Sequence, residues 1–375
     1  MTAKVDLVII NRGFNSQNGE LINYAEMASE NKNVSILAQS NTDLAKEFKN
    51  QGRGEKIKID TCRSFSNSGS NILSRITDSI FFMVWVLAKL SKIKPVKIYI
   101  ATDPPILVPF MVAIYSRLTG AQFFYHIQDI HPEIYNLLYP LNPIIRKMLQ
   151  KIDNYTLNNA TAIITLTAEM KKYIEKRSST KRSIYVIQNP GGATEYVENR
   201  EHDVIFCGNA GRLNHISIIL EAIDKYLEQG GNMNFTFAGG GIYAPAILEA
   251  SKNRTEIQYK GKIGVEEATK LVAQHKWALL PILDEATKYA FPSKSSTYVQ
   301  CRTPILAICG KNNIVARWIK ANNVGIVCDP NLDKLVDCFF EMENLAFNIN
   351  FDQKVIDELG YSRFCALLNE VIFHD

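Results

Sequence analysis

The 375-residue chain has seven cysteines but no CxxC pair, so neither a zinc knuckle nor a thioredoxin-like redox pair is written into it. Cys62, Cys207, Cys301, Cys309, Cys328, Cys338 and Cys365 stand mostly in apolar runs, as expected of reduced, buried thiols in a cytoplasmic protein. Its six histidines nowhere fall at metal-ligand spacing with Cys or acidic residues, so no metal is expected. The most hydrophobic run, Ile80 to Ala88 (IFFMVWVLA), falls far short of the ~20 residues that span a bilayer. The start, MTAKVDLVII, enters a strand directly and shows no cleavable signal pattern. Low-complexity tracts are missing, and a net charge of +4 does not call for nucleic acid.

That charge is unevenly spread. Residues 1–190 hold 24 Lys+Arg against 15 Asp+Glu, a balance of +9, and the remainder carries −5. A basic half joined to an acidic one implies that only the first faces an anionic surface. The apolar helix expected over 69–90 ends among Lys89, Lys92, Lys94 and Lys97, a pattern that suits peripheral contact with anionic lipid.

Strand-like and helix-like segments alternate along the whole chain. Strands are expected over 3–10, 33–38, 56–60, 96–101, 122–127, 161–166 and 183–187. Asn189-Pro190-Gly191-Gly192 then interrupts the alternation, which restarts with strands at 203–207, 233–238, 257–260, 277–281, 304–308 and 325–328. The pattern predicts an α/β chain of two Rossmann-like, doubly wound domains, 1–190 and 191–352. A closing helix within 353–375 is expected to pack back on the first domain.

Two stretches carry most of the chemistry. In His126-Ile127-Gln128-Asp129-Ile130-His131-Pro132-Glu133, four ionisable groups follow a central strand, where ligands of open parallel sheets bind. Asp129 is the candidate base for an acceptor hydroxyl, backed by His126 and His131. In Phe291 to Ile308, Ser293, Ser295 and Ser296 crowd the start of a short helix beside Lys294, a pattern that suits a phosphate. The polar loop 11–19, with Gly13, Asn18 and Gly19, lies at the carboxyl edge of the first sheet, although it is no GxGxxG.

In order, Asp129-Ile130-His131-Pro132-Glu133, Ile187-Gln188-Asn189-Pro190-Gly191, Phe206-Cys207-Gly208-Asn209, Phe237-Ala238-Gly239-Gly240-Gly241, Tyr259-Lys260-Gly261 and Pro292-Ser293-Lys294-(x)3-Tyr298 resemble the motifs of GT-B glycosyltransferases. The likeness is to family 4-like, galactofuranosyl- and glucosyltransferase-like enzymes of bacterial surface polysaccharide or glycoprotein assembly, and covers nearly the whole chain. It implies a cytoplasmic hexosyltransferase, at the inner membrane face, needing no cofactor or metal. The donor would be a nucleotide-diphosphate sugar, UDP-sugar first, and the acceptor a glycan, lipid-linked or carried on a protein. Gly208, Asn209, Gly240, Gly241, Lys260, Gly261 and Ile263 would hold the nucleotide. Arg212 and Lys294 with the three serines would hold the diphosphate, and Thr297 and Tyr298 the sugar and ribose. The family's Glu-x7-Glu pair is replaced by Tyr289 and Thr297, and His215 stands where its clamp lysine is expected. Those departures leave the donor, the stereochemical outcome and the oligomeric state open. Two alternatives stay in play, a nucleotide-sugar-binding partner subunit without turnover, which the lost Glu pair would fit, and a sugar-nucleotide epimerase, which shares the two-domain form.

Overall fold

A computed structural model describes residues 5–14, 19–66, 72–103, 105–192, 194–344 and 349–373. The chain divides into two compact units, Met1–Gln188 with Phe364–Asp375, and Asn189–Arg363. Among the described residues, no helix is long and apolar enough to cross a membrane.

The first unit is built on a parallel sheet of β1 (Leu7–Asn11), β2 (Val34–Gln39), β3 (Lys58–Cys62), β4 (Lys97–Ala101), β5 (Gln122–Ile127), β6 (Ala162–Thr165) and β7 (Ile184–Val186). Their spatial order is β3-β2-β1-β4-β5-β6-β7. Helices on both faces explain why β1 and β2 are buried along their whole length. The strand order reverses between β1 and β4, so the loops after these two strands lie side by side at the carboxyl edge. There Arg12 N–H donates to Asp103 O at 2.9 Å.

Three helices depart from the expected pattern for local reasons. Gly19–Ser29 has no counterpart in the expected elements, yet buries Leu21, Ile22, Tyr24, Ala25 and Ala28 along one face. The helical segment between β5 and β6 is split in two, Glu133–Leu138 and Pro143–Asn159. Tyr139, extended ahead of Pro140, stops the first, and Asn142 caps the second with Pro143 in its first turn. The closing helix breaks near Gly360 into Gln353–Glu358 and Tyr361–Phe373. Phe364, Cys365, Leu368 and Ile372 of the latter complete a core with Ile9, Tyr24, Ile36 and Tyr99. Lys97 Nζ donates to Ile372 O at 2.7 Å and so caps that helix.

The second unit repeats the plan with β8 (His202–Cys207), β9 (Phe235–Ala238), β10 (Ile257–Tyr259), β11 (His275–Pro281), β12 (Ile305–Ile308) and β13 (Gly325–Cys328). All are parallel in the order β10-β9-β8-β11-β12-β13, with the reversal between β8 and β11. Ile216, Ile219, Ile223 and Tyr226 line one face of helix Ile216–Glu228 and pack with Leu335 and Phe339.

The glycines after β9 serve loop-to-loop packing. Gly239 and Gly241 have φ of +127° and +128°, and a Cβ on them would fall 2.0 Å from Gly208 O and 2.3 Å from Ala210 O. Backbone bonds from Gly208 N to Ala238 O (2.8 Å), Ala210 N to Gly240 O (2.6 Å) and Gly239 N to Gly261 O (2.6 Å) stitch three strand-end loops together. Gly241→Ala should therefore cost about 1–3 kcal/mol in urea unfolding. Gly52→Ala is the control, with φ +67° and nothing within 4 Å; an equal loss in both would refute the packing explanation.

Candidate functional site

In the second unit, the stretch 292–298 differs from its expected role. Ser295 Oγ donates to Pro292 O (2.8 Å) and Ser296 Oγ to Asn189 O (2.7 Å), and both side chains are buried. A Cβ at Gly191 would stand 2.3 Å from Ser296 C and 2.5 Å from Thr297 N, so the Asn189–Gly191 backbone covers this helix start. The hydroxyls of Ser295 and Ser296 are thus spent on holding the chain that enters the unit, and the helix Lys294–Gln300 spans seven residues. Tyr298 is a buried strut whose hydroxyl lies 3.2 Å from Cys207 O and 3.3 Å from Leu279 O. Of the expected group, Ser293 is exposed without a capping bond and Thr297 is half-buried.

Lys294 is the exception. Its Nζ is enclosed without a hydrogen-bond partner, 4.1 Å from the Phe206 ring centroid. It lies against Gly208, where a Cβ would come within 3.0 Å of it. Burial lowers the ammonium to about 8, and the nearby Cys207 thiol offsets part of that shift. The cation is thus held at the tip of β8.

The loop after β8 is pinned to the end of β11. Asn214 Oδ1 accepts from Gly211 N (3.1 Å), its Nδ2 donates to Pro281 O (3.0 Å), and Leu283 N–H donates to Leu213 O (2.9 Å). Arg212, exposed on this loop, lines an open pocket of about 270 Å³ with His215, Ile216, Ser217, Ile218 and Tyr243. The pocket sits at the start of the 13-residue helix Ile216–Glu228, whose positive end suits an anion. Lys262 crosses Gly240, where a Cβ would meet its Cε at 2.5 Å.

In the first unit, Thr102 organises the loop after β5. Its Oγ1 accepts from Gln128 N (2.6 Å) and donates to His126 O (3.2 Å). Asp129 keeps solvent contact, yet the protein packed around it and the Asp103 carboxylate raise its carboxyl to about 6. The protein packed around Asp103, which likewise keeps solvent contact, also raises its carboxyl, against the pull of Arg12 and of Gly13 N–H. A Cβ at Gly13 would lie 2.6 Å from Asp103 Oδ2, so a side chain there would push the Asp103 carboxylate aside. Glu20, raised by burial, accepts from Gln128 Nε2 at 3.4 Å. The strand reversal thus brings the loops bearing Asp103 and Asp129 beside the start of helix Gly19–Ser29.

No protein-family profile matches the sequence, and no curated protein does. Solved structures are similar to it along almost its full length. HepE of Anabaena, in complex with UDP, superposes with a TM-score of 0.65 at 12% identity, covering 98% of this chain and 99% of its own. WaaG, a glycosyltransferase involved in lipopolysaccharide biosynthesis, gives 0.66 at 12%, covering 98% and 100%. The N-terminal domain of Candida albicans trehalose-6-phosphate phosphatase gives 0.70 at 11%, covering 98% and 96%. The chain has the GT-B fold.

The GT-B frame shows which expected residues fall at the reversal-point loops. Gly13, Gly208, Asn209 and Arg212 do, Asp129 lies on the adjoining loop after β5, and Lys294 reaches Gly208 from the neighbouring segment. Gly240, Gly241, Lys260, Gly261 and Ile263 lie on the adjoining loops after β9 and β10, Asn209 and Lys260 being exposed. His126 does not belong with Asp129. It is fully buried, 2.5 Å from Tyr99 Oη through Nδ1 and beside Phe364, and burial drops it to about 3. His131 is half-buried and lowered to about 4, chiefly by burial, while its carbonyl accepts from Arg177 (3.0 Å). Glu133 is locked in a buried ion pair with Arg177 (2.8 Å). Gly19 opens a helix, and Asn18 lies outside the described residues. The GT-B loops also hold Asp103 and Tyr243, which the residue patterns did not single out.

Proposed function

We propose that this GT-B chain transfers a sugar from a nucleotide-diphosphate sugar, UDP-sugar first, to a hydroxyl of a saccharide acceptor. The observation that carries the reading is the buried, unpartnered Lys294 ammonium at the tip of β8. An enclosed cation without an acceptor is costly, and a diphosphate oxygen beside Gly208 would supply what it lacks. Arg212, at a helix start, adds a second cation for the same leaving group. In the reaction the acceptor oxygen forms a bond to the anomeric carbon as the bond from that carbon to the diphosphate oxygen breaks. The acceptor proton passes to Asp129, and the two cations neutralise the departing diphosphate without any metal. That HepE was solved with UDP, and in a second structure with UDP and glucose, supports UDP as the nucleotide. WaaG's place in lipopolysaccharide biosynthesis supports a surface glycan as product and a lipid-linked acceptor.

Activity should require ionised Asp129 and charged Lys294. It should rise with pH through about 6 and fall through about 8. Asp129→Asn should lower turnover about 100-fold and remove the acidic limb, with donor binding unchanged. UDP-, GDP- and dTDP-sugars compared by thermal shift test the donor: no stabilisation by any of them would overturn the reading. A second reading is favoured by Tyr289 and Thr297, which stand where the family's two glutamates would be. A donor-binding partner subunit would show the thermal shift and no release of UDP under any acceptor.

A further inference from the structure

We infer that one face of the first unit docks onto an anionic lipid bilayer beside the carboxyl edge that carries Asp129. Helices Ile72–Ile93, Leu107–Thr119 and Pro143–Asn159 pack side by side with Leu107–Thr119 in the middle. Helix Ile72–Ile93 has two opposite stripes. Phe82, Val86 and Leu90 are buried, whereas Leu73 (71% exposed), Ile76, Ile80, Phe81 and Val84 are left in water. Helix Pro143–Asn159 likewise exposes Ile144 (79%), Ile145 and Met148 in its first two turns. A helix between two parallel strands starts at the carboxyl edge and runs back. Most of these exposed side chains therefore lie near the end of the sheet that holds Asp103 and Asp129. Phe65, 66% exposed in the loop after β3, stands edge-on to Phe81 with centroids 5.1 Å apart. Asp78 fixes that loop, accepting from Phe65 N–H at 3.0 Å.

Charge decides what covers this face. The three helices expose no carboxylate, since their acids Asp78 and Asp153 are buried against Arg12 and Arg177. Their exposed charges are cations, with Arg75, Lys147 and Lys151 beside the apolar stripes. Apolar side chains whose only exposed charged neighbours on these helices are cations match the boundary between acyl chains and anionic headgroups. This inference rests on the transferase reading only for its purpose, which is to bring the acceptor loops to a lipid-linked saccharide.

Co-sedimentation with phosphatidylcholine vesicles containing phosphatidylglycerol, against phosphatidylcholine alone, tests it with the full chain. The protein should bind the anionic vesicles, and less as salt rises. Phe81→Glu with Ile145→Glu should weaken binding more than tenfold, and Lys147→Gln or Lys151→Gln about fivefold each. Equal binding to both vesicles, no binding, or a dimer in sedimentation velocity that the double variant dissociates would overturn the inference. The donor-induced thermal shift should survive in every variant. Its absence from the parent protein would sink the transferase reading and leave the vesicle result standing.

Discussion

In Lys294→Met, turnover should fall about 100- to 1,000-fold, while the unliganded protein should melt no lower than its parent. Both outcomes have one cause. The ammonium is enclosed over the Phe206 ring without a hydrogen-bond acceptor, so the folded protein bears its desolvation. Methionine keeps the length and removes the charge. The donor-induced thermal shift should shrink with activity, because the diphosphate loses its nearest cation. The pH dependence gives a second handle. The folded ammonium titrates near 8, below its usual 10.5, so the unfolded chain binds more protons between those values. Stability of the parent should then rise with pH across this window, and Lys294→Met should lack that rise. A variant that melts several degrees lower while keeping its donor shift would show that Lys294 is a structural strut.

Arg177→Met should destabilise the protein by about 3–5 kcal/mol in urea unfolding. Arg177 is paired with Glu133 and with Asp153, and all three side chains are at most 8% exposed. Tyr173 Oη (2.8 Å) and Gln150 Nε2 (3.0 Å) also donate to Glu133. Removing the guanidinium leaves two carboxylates in a dry site. Burial already raises Asp153 to about 6 despite Arg177. Without the cation, protonation of Asp153 becomes the cheapest remedy, so the deficit should shrink as pH falls from 7 towards 5. Adding Glu133→Gln and Asp153→Asn to Arg177→Met should recover most of the loss, since no uncompensated charge remains. A loss below about 1 kcal/mol, or one independent of pH, would mean that water enters the site. The same bonds anchor the segment after Asp129, through Arg177 to His131 O. The destabilised variant should therefore also lose acceptor turnover before it loses donor binding.

The alternation of strands and helices was legible because parallel strands, buried on both faces, are written as short apolar runs. Strands 122–127 and 325–328 agree end for end with β5 and β13. Asp129 stands out as a candidate because it sits among ionisable residues directly after a strand. Asp103 was hidden because it stands alone before two prolines, and only the β1/β4 neighbourhood gives it a partner. The serines after Pro292 misled for a related reason. Their pattern is that of an anion seat, yet what a hydroxyl donates to is decided by the Asn189–Gly191 backbone, over 100 residues away in sequence. His126 is expected to back Asp129 at the end of its strand and is instead a core residue, because helix Tyr361–Phe373 folds over it from the far end of the chain.

That returning helix governs the order in which the protein can mature during translation. The side chains closing over Tyr24, Tyr99 and Phe124 come from residues 364–372, so a ribosome that has finished the first seven strands has not released a finished unit. The Asn189–Arg363 unit draws its contacts from one continuous segment. The half synthesised first thus receives the helix that closes its core only after the residues of the second unit have been made.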